Sequence, residues 1–185
     1  MQVLLPPLDA HVRDLCFGAV QEVTLVSPWL KAASLRPILT HCRERGLPLR
    51  ILTVAALRDF VSGASDVEVL ADAIACGADL RCVSNLHAKV YIADGTRAIV
   101  GSANLTPSGL RENLEVAVLI DDRDEVQRLA TAISGWFAVG RRADGAWLGA
   151  CLSNPIWPHL WGRKDAGATT YRMATGEKRL TQTGS

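Results

Sequence analysis

Four residues of the stretch LHAKVYIADGTRAIVGSANLT (86–106) carry side chains that can act on an anion: His87, Lys89, Ser102 and Asn104. A lysine supplies a fixed positive charge, and serine and asparagine supply hydrogen bonds; together they suit a phosphate or another oxyanion. Histidine adds a nucleophile or general acid–base that titrates near neutrality. In an extended strand alternate side chains share a face. His87, Lys89 and Tyr91 therefore point one way, and Leu86, Ala88, Val90 and Ile92 the other. Asp94-Gly95 is a strong hairpin signal. With a two-residue turn, Ala93 pairs with Thr96, Lys89 with Val100 and His87 with Ser102, and directly opposite residues share a face. This register gathers His87, Lys89 and Ser102 on one face, with Asn104 just past the strand end. Gly101 and Ala103 are small enough there for backbone or ligand to come close. A lone His-x-Lys has a plainer reading, a partly buried histidine beside a lysine on an edge strand. The Ser and Asn delivered by the same hairpin weigh against it.

The elements that must position these groups follow from pattern. LDAHVRDLCFGAV has helical apolar spacing, and EVTLVSPW reads as a strand ending at Pro28. Residues 31–45 read as a helix stopped by Gly46, and LPLRILTVA as a second strand. Ser65-Asp66 is expected to cap a helix running to Ala75, with Gly77 as its stop. DLRCVS, HAKVYIAD, RAIVGS and NLEVAVLID read as four further strands. Asp121 or Asp122 is expected to cap a last helix through Phe137, with Val126, Leu129, Ala130, Ile133, Trp136 and Phe137 as its apolar stripe. Strands alternating with helices, plus one hairpin, predict an α/β fold, a layered αβα domain with a mixed β-sheet over residues 1–140. Residues 141–185 are rich in Gly, Trp and Pro and lack clear periodicity, and no internal repeat is visible. Three tryptophans there argue for a tail that is partly packed on the body or on a partner, with a frayed end.

At 185 residues the chain suffices for one well-cored domain. Its 49% hydrophobic and 21% charged residues read as globular and soluble. The net charge of +1 gives no strong overall field. The charge is uneven: residues 1–140 hold 13 Lys/Arg against 16 Asp/Glu, and residues 141–185 hold 7 against 3. A basic tail is compatible with a nucleic-acid contact and equally with a solvated end. The five cysteines, Cys16, Cys42, Cys76, Cys82 and Cys151, form no Cys-x-x-Cys pair and sit mostly in apolar segments. They read as small core residues in a reducing compartment, not a disulfide frame or a metal site. The opening residues lack the basic and apolar regions of a signal peptide, and no apolar run approaches a membrane span. The expected location is cytoplasmic, away from the membrane.

The 86–106 stretch resembles the signature of the phospholipase D superfamily, His-x-Lys-x4-Asp-x6-Gly-Ser-x-Asn. His87, Lys89, Asp94, Gly101, Ser102 and Asn104 occupy every position of it. VTLVSPWL is similar to the family's opening strand, and TPSGLRENLEVAVLIDD to the segment after the motif, so that about residues 15–140 are covered. The resemblance implies a mechanism. His87 would attack phosphorus and form a covalent phosphohistidine, and a second histidine would protonate the leaving oxygen and then activate water. Lys89, Ser102 and Asn104 would hold the phosphate oxygens. Glu115 would hydrogen-bond the far nitrogen of His87. Asp94 falls at the turn, away from His87, and takes a structural role, as does Gly101. No metal and no cofactor are expected.

Full-length members carry two copies of the signature; this chain has one, and none of His11, His41 and His159 is followed two residues later by Lys. It therefore resembles the single-motif branch, in which two subunits complete one site, and a homodimer is expected. Three functions compete: a phosphodiesterase acting on nucleic acid, a lipid hydrolase or transferase, and a non-catalytic or regulatory subunit. The lipid reading lacks a membrane segment, a basic amphipathic helix and a second motif. The intact His, Lys, Ser, Asn and Glu set argues against lost catalysis. The pattern also resembles phospholipase D-like components of DISARM-type phage-defence systems, which would imply protein partners in a defence complex. No helix-turn-helix or zinc finger is visible to read bases.

Overall fold

Short strands buried on both faces and amphipathic helices between them organise the chain, and the computed structural model describes residues 1–152. In chain order the elements are β1 (Gln2–Leu4), α1 (Asp9–Phe17), β2 (Val23–Val26), α2 (Ala32–Arg45), β3 (Leu49–Thr53), α3 (Leu57–Val61), α4 (Val67–Ala75) and β4 (Asp79–Cys82). They continue with β5 (Lys89–Ala93), β6 (Arg97–Gly101), a π-helical turn (Ser108–Glu112), β7 (Ala117–Ile120), α5 (Arg123–Val139), β8 (Arg141–Arg142) and α6 (Gly145–Leu152). The chain divides into two units, Met1–Ala143 and Asp144–Ser185. The first holds an eight-stranded mixed sheet in the order β1-β7-β6-β5-β2-β3-β4-β8. Strands β2, β3 and β4 run parallel, and the remaining neighbours pair antiparallel. In the second unit Asp144 immediately precedes α6, and its carboxylate accepts the Trp147 amide at 2.8 Å. The expectations placed on the rest of the tail, including Trp157, His159, Trp161 and the frayed end, lie outside the described residues.

Both faces of the sheet are covered by helices, as expected of an αβα layering. On one face Val26, Leu52, Val90, Ile92 and Ala98 form a core with Val126, Ile133 and Phe137 of α5, and Leu86 and Ala88 pack against it. On the other, α1 packs on β5 and β6, and α1, α2 and α4 pack in series. Leu25, Ile51, Leu80, Tyr91 and Ile99 alternate with the first set and are buried there. Cys16 and Cys42 belong to this layer; burial pushes the Cys42 thiol up to about 11, with Cys76 adding to it. Among the described residues Cys16, Cys42 and Cys76 are free thiols. Among the same residues no helix is long and apolar enough to cross a membrane.

Several boundaries follow from local chemistry. Gly46 closes α2 in the left-handed conformation (φ 63°), which costs glycine nothing. Asp122 caps α5 by accepting from the amides of Asp124 and Glu125. Asp66 precedes α4 but does not cap it. Its carboxylate instead takes the Ala32 amide (2.9 Å) and the Lys31 ammonium (2.6 Å) at the start of α2. A cap chosen from sequence neighbours is redirected here by a helix that lies next to it in space.

Candidate active site

The hairpin does not keep the two-residue register expected of Asp94-Gly95. Asp94 (φ 56°) and Gly95 (φ 62°) are both left-handed, and the Thr96 amide closes the turn on the Ala93 carbonyl (3.0 Å). Thr96 then stays unpaired as a third loop residue. Ala93 pairs with Arg97, Val90 with Val100 and Lys89 with Gly101. A slip of one residue exchanges faces. Gly101, not Val100, lies opposite Lys89, and the pairing no longer sets Ser102 against His87. The ladder also starts at Lys89 rather than at His87, whose carbonyl accepts the Lys89 ammonium at 2.8 Å instead of a strand partner.

Lys89 is 6% exposed, although its side chain ends in an ammonium. Its Nζ lies 3.1 Å from Nε2 and 3.3 Å from Nδ1 of His87, whose ring is exposed. Among the described residues no carboxylate forms an ion pair with it. Burial pulls its pKa below the ordinary lysine range, and the field of Glu115 only partly opposes this. An enclosed cation without a counter-ion, beside an open imidazole, is a place for an anion.

Ser102 and Glu115 form the second part of the site. The Ser102 hydroxyl donates to Glu115 Oε2 and accepts the Val116 amide (3.2 Å), while Asn113 Nδ2 donates to Glu115 Oε1 (3.2 Å). The bond expected between Glu115 and His87 is not formed. Glu115 is held by Ser102 and Asn113 and reaches the His87–Lys89 pair through its field at Lys89. Asn104 Oδ1 stands 3.5 Å from Ser27 Oγ, at the limit of a hydrogen bond.

Ser27 is a residue that the sequence reading missed. It is fully buried, and continuing the β2–β5 register from Val26 and Val90 sets it beside Lys89. Its Oγ donates to the Trp29 carbonyl (2.8 Å) and accepts the Leu105 amide (3.0 Å), tying the 103–105 segment to the end of β2. Gly109 acts on the same segment: a Cβ there would stand 2.7 Å from the Asn104 carbonyl and 2.9 Å from its amide. The only sequence signals were a serine ending an apolar strand and a glycine after Thr-Pro-Ser, and neither identifies a partner distant in sequence.

Gly101 and Asp94 support the site from outside it. A Cβ at Gly101 would lie 2.5 Å from the Val116 carbonyl and 2.6 Å from the Ala117 Cβ, so the close approach is made by β7 and not by a ligand. The Asp94 carboxylate, at the far end of β5, accepts the amides of Val20 (3.0 Å), Gln21 (2.7 Å) and Glu22 (3.0 Å). Partial burial works against its ionisation, but these three bonds prevail and hold its pKa below the usual carboxylate range. Among the described residues no three His, Cys, Asp or Glu side chains cluster in a way that could hold a metal ion.

A family model described as cardiolipin synthase, PLD-like domain, matches residues 15–136. Among curated proteins none matches the sequence. Of solved structures, the phospholipase D family member Nuc from Salmonella typhimurium superposes with a TM-score of 0.68 at 20% identity, covering 78% of this chain and 97% of its own. NucT from Helicobacter pylori gives 0.57 at 11% identity, with 77% and 98% covered. TrmBL2, an archaeal chromatin protein described as showing a novel mode of DNA binding, gives 0.57 at 16% identity, with 77% and 54% covered.

Proposed function

The chain belongs to the phospholipase D superfamily, and from that premise we propose that it is a metal-independent phosphodiesterase, a nuclease that works through a covalent phosphohistidine at the interface of a homodimer. The observation that carries the reading is the buried Lys89 ammonium, unpaired by any carboxylate among the described residues and seated against an exposed His87. A phosphodiester supplies the anion that this cation lacks. His87 attacks phosphorus through a ring nitrogen: the N–P bond forms, the P–O bond to one ester breaks, and the leaving oxygen takes a proton from a second imidazole. That imidazole then removes a proton from water, which attacks phosphorus; a new P–O bond forms as the N–P bond breaks, and His87 leaves as the free imidazole. Lys89, Ser102 and Asn104 hold the phosphate oxygens, the Ser102 hydroxyl turning its one O–H from Glu115 to the phosphate as substrate binds, and Glu115 moderates the cost of the Lys89 charge.

The second imidazole is assigned to His87 of the partner subunit. His11 belongs to α1, and His41 is stacked on Phe17 with centroids 4.3 Å apart, its Nε2 buried without a partner. Leu114, fully exposed, and Val116, half exposed, follow Asn113 beside Ser102 and offer apolar surface for a two-fold contact. In this arrangement the 103–113 segment is buried between subunits.

A second reading, a non-catalytic subunit that binds DNA within a larger assembly, is favoured by the fold shared with the archaeal chromatin protein. Incubation with plasmid, single-stranded DNA, RNA and phosphatidylcholine in excess EDTA separates the readings. Cleavage of nucleic acid with a phosphoryl adduct on His87, seen by mass spectrometry, is the expected result. Binding without cleavage supports the second reading. Loss of activity on chelation, restored by Mg²⁺ or Zn²⁺, overturns the mechanism, and turnover of the lipid alone overturns the substrate class.

A further inference from the structure

Residues 23–30 form a buried run with one interruption: Trp29 is 40% exposed while Pro28 and Leu30 on either side are buried. The backbone on either side of it is held. The Trp29 carbonyl takes the Ser27 hydroxyl (2.8 Å), and the Pro28 carbonyl takes the Thr53 hydroxyl (3.1 Å). The Leu30 amide goes to Ser65 Oγ (3.1 Å) and the Lys31 amide to the Leu105 carbonyl (3.0 Å). A large ring is thus turned outward on a rigid support. An aromatic side chain so mounted presents a π-face with little entropy left to lose on binding.

The place of that ring follows from the sheet. Ser27 continues β2 beside Lys89, at roughly 5 Å between neighbouring strands. Trp29 is two residues further, at most about 7 Å along the chain. Its Cα therefore stands within about 12 Å of that of Lys89, on the β2 side of β5, whereas Leu114 and Val116 lie on the β7 side. A phosphate held at Lys89 leaves its neighbouring nucleotide within reach of the ring.

We propose that Trp29 is a stacking platform for a nucleobase adjoining the bound phosphate, and that the protein therefore selects single-stranded or locally unpaired nucleic acid. This rests on the nuclease reading of the site and adds the strandedness of its substrate. Stacking on a protein ring requires an open base face, and in a duplex both faces are already covered by neighbouring bases. Because every base has a π-face, the contact selects strandedness without selecting sequence.

The test compares wild type, Trp29→Ala and Trp29→Phe on three ligands: a single-stranded oligonucleotide, its blunt duplex, and a single strand of the same length with abasic sites. Binding is read by fluorescence anisotropy and turnover separately, both in EDTA. Wild type is expected to bind the natural strand about five- to a hundred-fold more tightly than the duplex or the abasic strand. Trp29→Ala loses that margin and binds all three alike, while Trp29→Phe keeps most of it. A Trp29→Ala protein that still prefers the natural strand overturns the proposal. So does a variant that sediments as a monomer where wild type is a dimer, which assigns the ring to a protein interface. If wild type binds but cleaves nothing, the nuclease reading fails while the three affinities still decide the role of Trp29.

Discussion

Replacing Lys89 by methionine is expected to make the protein more stable and nearly inactive. Methionine keeps the length and apolar character of the stem and removes the ammonium. Two terms compete. The variant loses the 2.8 Å bond from Nζ to the His87 carbonyl and the 3.1 Å contact to its Nε2, and because His87 is exposed both groups can turn to water. It also sheds a charge that is 6% exposed and has no ion-pair partner among the described residues, the state whose cost appears as a lowered lysine pKa. A hydrogen bond from a charged donor is worth about 1.5–3 kcal/mol, and a buried unpaired ion costs several kcal/mol. The balance favours the variant by about 1–2 kcal/mol, which for a domain of this size raises Tm by about 2–8 °C. Differential scanning calorimetry measures it, with and without inorganic phosphate. Phosphate at a hundred times its Kd should stabilise wild type by about 2.7 kcal/mol and leave the variant unmoved. Turnover should fall about 10²–10³-fold, as for removal of one preorganised charge at a transition state. Since the ammonium titrates below the ordinary lysine range, wild-type activity should also decline on the alkaline side before about pH 10.4. A variant whose Tm drops by several degrees, with turnover and the phosphate response intact, makes Lys89 a structural cation and refutes the reasoning.

Three other perturbations test the rest of the arrangement. His87→Ala should lose several powers of ten in turnover and keep its Tm, because the ring is exposed; mixed with wild type it should depress activity more steeply than the wild-type fraction, and a linear dependence counts against the dimer. Gly101→Ala drives a Cβ to within 2.5 Å of the Val116 carbonyl, so β6 and β7 must part; a loss of about 1–3 kcal/mol in urea melts and about a hundred-fold in rate is expected, since these strands carry Ser102 and Glu115. Asp94→Asn probes the hairpin tip. The Asp94 pKa is depressed in the fold, so its contribution is present above the unfolded carboxylate value near 3.9 and disappears as pH falls through the folded one. The variant should be about 1–2 kcal/mol less stable at pH 7, equal to wild type at low pH, and active throughout; a unfolding profile parallel to wild type from pH 7 to pH 2 contradicts this.

The sequence by itself determined what backbone geometry enforces locally. Residues 86, 88, 90 and 92 turn toward α5 and residues 89 and 91 away from it, because successive side chains of any extended chain alternate. The αβα layering and the apolar stripe of α5 were legible for the same reason, except that Trp136, expected in the stripe, is 39% exposed and lies outside that core. Strands of three and two residues, β1 and β8, are too short to carry a period, and the π-helical turn has none of its own. Register and partnership were decided elsewhere. Thr96 stays out of the ladder because Asp94 and Gly95 close the turn before it, and that single residue sets Gly101, not Val100, against Lys89. Asp66 serves α2 rather than α4, Glu115 takes Ser102 rather than His87, and Ser27 holds a segment 78 residues away through the Leu105 amide. A polar side chain bonds whichever unsatisfied group the completed fold brings within about 3 Å, and only the packed tertiary structure specifies which group that is.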